Sequence, residues 1–95
     1  MESRKEYIDK LAAQLKEWDA ELKKLEEKAS KAKEELKVEY KKQMEELKEK
    51  KEVAQKKFNE LKSSGEEAWG TLKVGLEKSW KELKTAIDAA VEKFK

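Results

Sequence analysis

The chain has 95 residues, 48% of them charged, yet its formal net charge is only +2, and it contains no Cys, no His and no Pro. A chain this short and polar has little apolar surface for a conventional core. It can form no disulfide, and it lacks the usual general base and the usual metal and thiol ligands. Lys, Glu, Leu and Ala dominate, which points to an all-α fold of long or coiled-coil helices, and the near balance of charge separates the chain from the highly charged disordered class.

The first residues, Met1-Glu2-Ser3-Arg4-Lys5-Glu6, lead into no continuous apolar run of the kind a secretory signal needs. No stretch approaches the ~18–20 apolar residues of a membrane span, so a cytoplasmic location is the expectation. Residues 3–62 contain neither Gly nor Pro and are rich in strong helix formers. They predict one long helix. Its apolar line runs Ile8, Leu11, Leu15, Trp18, Leu22, Leu25, Ala29, Ala32 and Leu36, with the alternating three- and four-residue steps of a left-handed coiled coil. The rule then changes: Leu36, Tyr40 and Met44 are spaced four and four, a stutter that locally unwinds a supercoil. The line continues through Leu47, Lys51 and Ala54 to Phe58 and Leu61.

A turn is expected at 62–65, where Gly65 ends the long helix and Ser64 with Glu67 matches a capping box for the next. The second helix, about 66–94, repeats every eleven residues. Trp69, Trp80 and Val91 form one register, Leu72, Leu83 and Phe94 another, and Leu76 with Ile87 a third. An eleven-residue period gives a stripe that runs nearly straight along the helix. One flank of this stripe, Ala68, Gly75, Ser79, Ala86 and Ala90, is small and suited to close packing. The other, Lys73, Glu77, Lys84 and Lys95, is polar, an asymmetry that suits a helix in a bundle of three or more.

Folding the second helix back on the first aligns the four-four step at 36-40-44 with that at 83-87-91, and places Trp69 against Phe58, Trp80 against Leu47 and Ile87 against Tyr40. The resulting expectation is an antiparallel coiled-coil hairpin of arms 33–62 and 66–95, cored by Leu36, Tyr40, Met44, Leu47, Phe58, Trp69, Leu72, Leu76, Trp80, Leu83, Ile87, Val91 and Phe94. One continuous rod of about 140 Å is the alternative. In the hairpin, residues 1–32 overhang, and the stripe Ile8, Leu11, Leu15, Trp18, Leu22 and Leu25 lacks a partner within the chain. An apolar stripe of that length is seldom left in water. Laid antiparallel on its own copy it pairs Ile8 with Leu25 and Leu15 with Trp18, so a homo-oligomer, dimer or tetramer, is expected.

No enzyme, cofactor or metal site is expected. Adjacent carboxylates such as Glu26-Glu27 and Glu66-Glu67 point different ways around a helix and have Lys within a turn, so they read as surface ion pairs. Gly70 and Gly75 lie inside a helical pattern and form no phosphate loop. Lys and Glu are interleaved throughout, without the basic patch that nucleic-acid binding requires. Trp18, Trp69 and Trp80 read first as core residues. The alternative is that helix 66–95 lies on a membrane surface, where Trp is favoured and eleven-residue amphipathic repeats occur. A second alternative is an adaptor that takes a partner protein's helix on residues 8–25.

Two segments, Ala13-Gln14-Leu15-Lys16-Glu17-Trp18-Asp19-Ala20-Glu21 and Ser64-Gly65-Glu66-Glu67-Ala68-Trp69 through Ala86, are joined by Lys31-Ala32-Lys33 and Glu39-Tyr40-Lys41-Lys42-Gln43. Together they resemble a family of small bacterial coiled-coil proteins, some of which carry a stress-response label. The resemblance spans nearly the whole chain, is most specific in the Trp segments, and implies a cytoplasmic helical protein without known catalysis. It transfers no binding residues. More loosely, the eleven-residue tail is similar to those of desiccation-protective and lipid-surface proteins.

Overall fold

The computed structural model describes residues 3–94; Met1 and Glu2 at one end and Lys95, part of the expected polar flank, at the other lie outside the described residues. The described residues are all-helical and form three helices in place of the expected two: α1 (Arg4–Ser30), α2 (Glu34–Ser63) and α3 (Glu66–Lys93). They lie side by side in a bundle of 51 × 18 × 17 Å, which excludes the continuous rod. α1 runs antiparallel to α2, since Arg4 meets Leu61 while Glu26 meets Lys48.

The long helix expected over 3–62 is interrupted at 31–33. Neither Gly nor Pro marks the break, and no described residue has positive φ. Its signal is electrostatic. Lys28 and Lys31 lie at the negative C-terminal end of α1, and Glu34 and Glu35 occupy the positive first turn of α2. Ser30 adds a hydroxyl that donates back to the Glu27 carbonyl at 2.8 Å, a local bond that competes with helix continuation. At its other end α1 is capped by Ser3, whose Oγ accepts from the Glu6 amide at 3.1 Å.

The second turn falls where expected but is built differently. Ser64 is the C-cap of α2, donating its hydroxyl to the Leu61 carbonyl at 2.7 Å, so it does not form the capping box with Glu67. Gly65 is the N-cap of α3, at φ −80° and ψ 171°, and supplies no side-chain bond.

Between α2 and α3 the alignment slides relative to the stutter pairing. Tyr40 stacks on Phe94 at 4.1 Å between centroids, and its hydroxyl donates to the Lys93 carbonyl at 3.4 Å, about two helical turns beyond Ile87. Two causes act together. The two-residue turn fixes Ser63 and Glu66 as the facing helix ends, and each side chain leans toward its own N-terminus, shifting contacts toward higher numbers on both helices. Lys51, a polar interruption in the two-helix alignment, instead turns to α1 and pairs with Asp19 at 2.5 Å.

All three helices feed one core, in which Leu25, Leu47, Leu61, Leu76 and Leu83 are fully buried. Backbone approach is closest between α2 and α3 and sparsest between α1 and α3. The small residues of α3 explain the first of these: Ser79 and Ala90 are buried, Gly75 and Ala86 half-buried, and only Ala68 is left in solvent.

Candidate functional site: the seam beneath the first helix

The six residues expected to form an oligomer interface belong to the core of a single chain. Leu11, Leu15, Trp18, Leu22 and Leu25 are buried, and Ile8 is half-buried against them. The turn at 31–33 folds α1 back over α2 and α3, so the stripe finds its partner in the chain and there is no overhang. In the closed bundle the face expected to pair with another copy or to take a partner's helix is covered within the chain.

Of the expected hairpin core, Met44, Leu47, Phe58, Leu76, Trp80, Leu83, Ile87 and Phe94 are buried, while Tyr40, Trp69, Leu72 and Val91 are half-buried. Leu36 departs: it is 38% exposed, because it stands in the first turn of α2 at the end of the bundle. Val38, Val53 and Val74 are also exposed, singly rather than as a patch.

Sparse backbone approach between α1 and α3 is offset by large side chains. Trp18 and Trp80 meet at 5.0 Å between ring centroids, tilted by 45°, and Phe58 of α2 lies 6.2 Å from the same Trp80 ring. The Trp80 indole N–H donates to Gln14 Oε1 at 2.7 Å, so the one polar atom of the ring is satisfied inside the seam. Toward the start of α1, Tyr7 packs edge-on against Trp69 at 5.8 Å and donates its hydroxyl to Glu77 at 3.1 Å. The Lys73 ammonium lies 4.6 Å from the Tyr7 ring centroid. Two members of the flank expected to face water, Lys73 and Glu77, therefore border the seat of α1.

Arg4, the only arginine of the chain, closes this end. Its guanidinium lies 4.6 Å from the Trp69 ring centroid. It donates to the carbonyls of Leu61 and Lys62, each at 3.4 Å, and to that of Ser64. A cation at the last carbonyls of α2 offsets the negative end of that helix; the three bonds converge on one guanidinium nitrogen, Nη2, while the planar group lies against the Trp69 ring. Nothing in the sequence periodicity marks Arg4, since its role lies in the turn it reaches; its being the sole Arg among Lys residues was the available signal.

Elsewhere the surface is a solvated helix surface. A depression lined by Lys51, Glu52, Gln55, Lys56, Asn59, Glu60 and Ser63 runs along α2 and is made of long polar side chains. Among the described residues no group of three or more carboxylates is placed to hold a metal ion, and no helix is long and apolar enough to cross a membrane. The chemistry of the site is thus that of a helix-binding seam: apolar, aromatic, and closed by α1. Comparison with protein-family models, with curated proteins and with solved structures finds no match to this chain.

Proposed function

We propose that the protein is a non-enzymatic structural or stress-protective helical module that works by packing helices against further copies of itself. One observation carries the reading. The seam on α2 and α3 is a complete helix-binding surface, lined by Phe58, Trp69 and Trp80, and its occupant is a segment every other copy also carries. A surface complementary to part of its own chain is self-complementary between chains. The interleaved Lys and Glu exterior keeps the packed units dispersed without favouring nucleic acid. Sedimentation equilibrium over a rising concentration series tests it: reversible formation of dimers or tetramers is expected, and a monomer of unchanged mass across the series contradicts it.

A second reading is favoured by the placement of the tryptophans. Trp18 and Trp80 meet beneath α1, and Trp69 borders the same helix through Tyr7. Lifting α1 would bare these rings together with the Leu stripes, an amphipathic surface suited to a lipid interface. Anionic phospholipid vesicles then shift Trp emission to the blue with helicity retained; unchanged emission counts against it.

A further inference from the structure

The two turns of the bundle are not equivalent. The turn at 64–65 is fastened by the Ser64 hydroxyl and by the Arg4 guanidinium. The break at 31–33 has the matching Ser30 hydroxyl on the Glu27 carbonyl but no counterpart of Arg4. Its N-cap is Lys33, whose side chain makes no capping bond, and Lys31 is right-handed helical at φ −96° and ψ 0°. Lys31, Ala32 and Lys33 are strong helix formers, and the apolar line passes through Ala29, Ala32 and Leu36 without losing phase. In the bent form the Leu36 and Lys37 amides already donate to the Lys33 carbonyl, whereas those of Glu34 and Glu35 stand ahead of the first helical bond. Straightening the break gives the latter two partners, with the Glu34 amide donating to the Ser30 carbonyl.

The contacts between α1 and α2 have a matching symmetry. Arg4 with Leu61, Asp19 with Lys51 and Glu26 with Lys48 are antiparallel pairs whose midpoints in sequence all fall at or just beyond the break. Two chains with straightened α1–α2 helices, laid antiparallel about a twofold axis near that point, remake each of these pairs between copies. The Trp18–Trp80 and Gln14–Trp80 contacts follow, because α3 stays fastened to α2 by the other turn.

We infer that residues 31–33 are a hinge and that the occupant of the seam in the self-associated form is α1 of a second copy, exchanged by straightening this hinge. The inference rests on the self-packing reading above and specifies its route. Exchange makes few new contacts, so its balance is set by the hinge and by protein concentration.

Glu34→Pro separates the two forms. Position 34 is the first helical residue of α2, where proline is favoured. Lys33 before it is already extended at φ −61° and ψ 147°, as a residue preceding proline must be. The closed bundle therefore accepts the substitution, whereas a continuous helix loses the Glu34 amide bond and meets the proline ring inside its ladder. The experiment mixes a chain carrying only Glu26→Cys with one carrying only Lys48→Cys, warms and cools them together, and oxidises; the natural chain has no cysteine. The double variant in one chain sets the yield of the bond within a bundle. The expected result is a covalent dimer between the two single variants, with its yield lowered by roughly a hundredfold when both also carry Glu34→Pro. A hydrogen-exchange profile of the Glu34→Pro monomer like that of the natural chain shows that the bundle itself is intact. If the natural chain associates by sedimentation yet no covalent dimer forms, or if Glu34→Pro associates equally well, helix exchange is overturned while self-packing stands. If the natural chain does not associate at all, both fall.

Discussion

The indole N–H of Trp80 donates to Gln14 Oε1 at 2.7 Å, joining α3 to α1 beside the tilted Trp18 ring. Removing the acceptor strands a part-buried donor, and the cost is that of desolvating an unpaired group rather than of losing a surface bond. Gln14→Leu is expected to lower the unfolding free energy by about 1 kcal/mol. In a Trp80→Phe background, which has no N–H to satisfy, the same change should be close to neutral. Denaturant titrations of the four proteins give the coupling directly, and additive single effects would contradict the bond.

Arg4 is expected to act on the far end of α2, not on its own helix. Arg4→Ala should cost about 1 kcal/mol through the lost offset of the helix end and of the ring contact. Arg4→Lys should recover only part of that, because a compact ammonium keeps the charge at the helix end but loses the planar group's contact with the Trp69 ring. Native-state hydrogen exchange locates the effect: amides at the end of α2 and the start of α3 should exchange faster, while those near the middle of α2 are unchanged.

The glycines of α3 are dispensable. A Cβ built on Gly70 meets nothing within 4 Å, and one on Gly75 meets only the Lys57 ammonium at 3.7 Å, an ordinary contact with the end of a flexible chain. Both lie inside the helix. Gly70→Ala and Gly75→Ala are each expected to raise stability by about 1 kcal/mol, the helix-propensity difference between the two residues. Thermal unfolding followed by circular dichroism reads the gain; a fall on Gly75→Ala would mean that α2 and α3 approach more closely than the ordinary contact with Lys57.

Leu25 and Leu36 sit in the same apolar line of the sequence, yet Leu25 is 1% exposed and Leu36 38%. Leu25→Ala should cost about 2–5 kcal/mol, as a deletion in a packed core does, and Leu36→Ala well under 1 kcal/mol. Similar losses at the two positions would indicate that the line is buried evenly, as one coiled-coil stripe.

This pair also shows how far the sequence could be read. The eleven-residue stripe of α3, the turn after Leu61 and the burial of Leu47, Phe58, Leu76 and Leu83 follow from periodicity and from the glycine at 65, because hydrophobic spacing reports which face is covered. The small flank of α3 likewise pointed to a bundle of three or more helices. What covers that face is a different question. Lys31, Ala32 and Lys33 are good helix formers that keep the apolar phase, so propensity and pattern both read through the break, and the cover that α1 finds within the chain is not visible in them. The deciding information was the reversal from Lys28 and Lys31 to Glu34 and Glu35, a terminus signal worth tenths of a kcal/mol in either helix end. The partners of Arg4, which stands out only as the sole arginine, and of Gln14 are hidden for a related reason: each acts across a distance in sequence that only the folded bundle closes.

α1 folds back at 31–33 and lies on α2 and α3 within one chain. Single-molecule energy transfer between dyes on Lys5→Cys and Lys62→Cys tests it most directly, since dilution holds the protein monomeric and the natural chain offers no competing cysteine. One population of high transfer efficiency is expected, because Arg4 beside the first label reaches the carbonyl of Lys62 itself. A population with almost no transfer, as expected for labels about 85 Å apart on one uninterrupted helix, would contradict it.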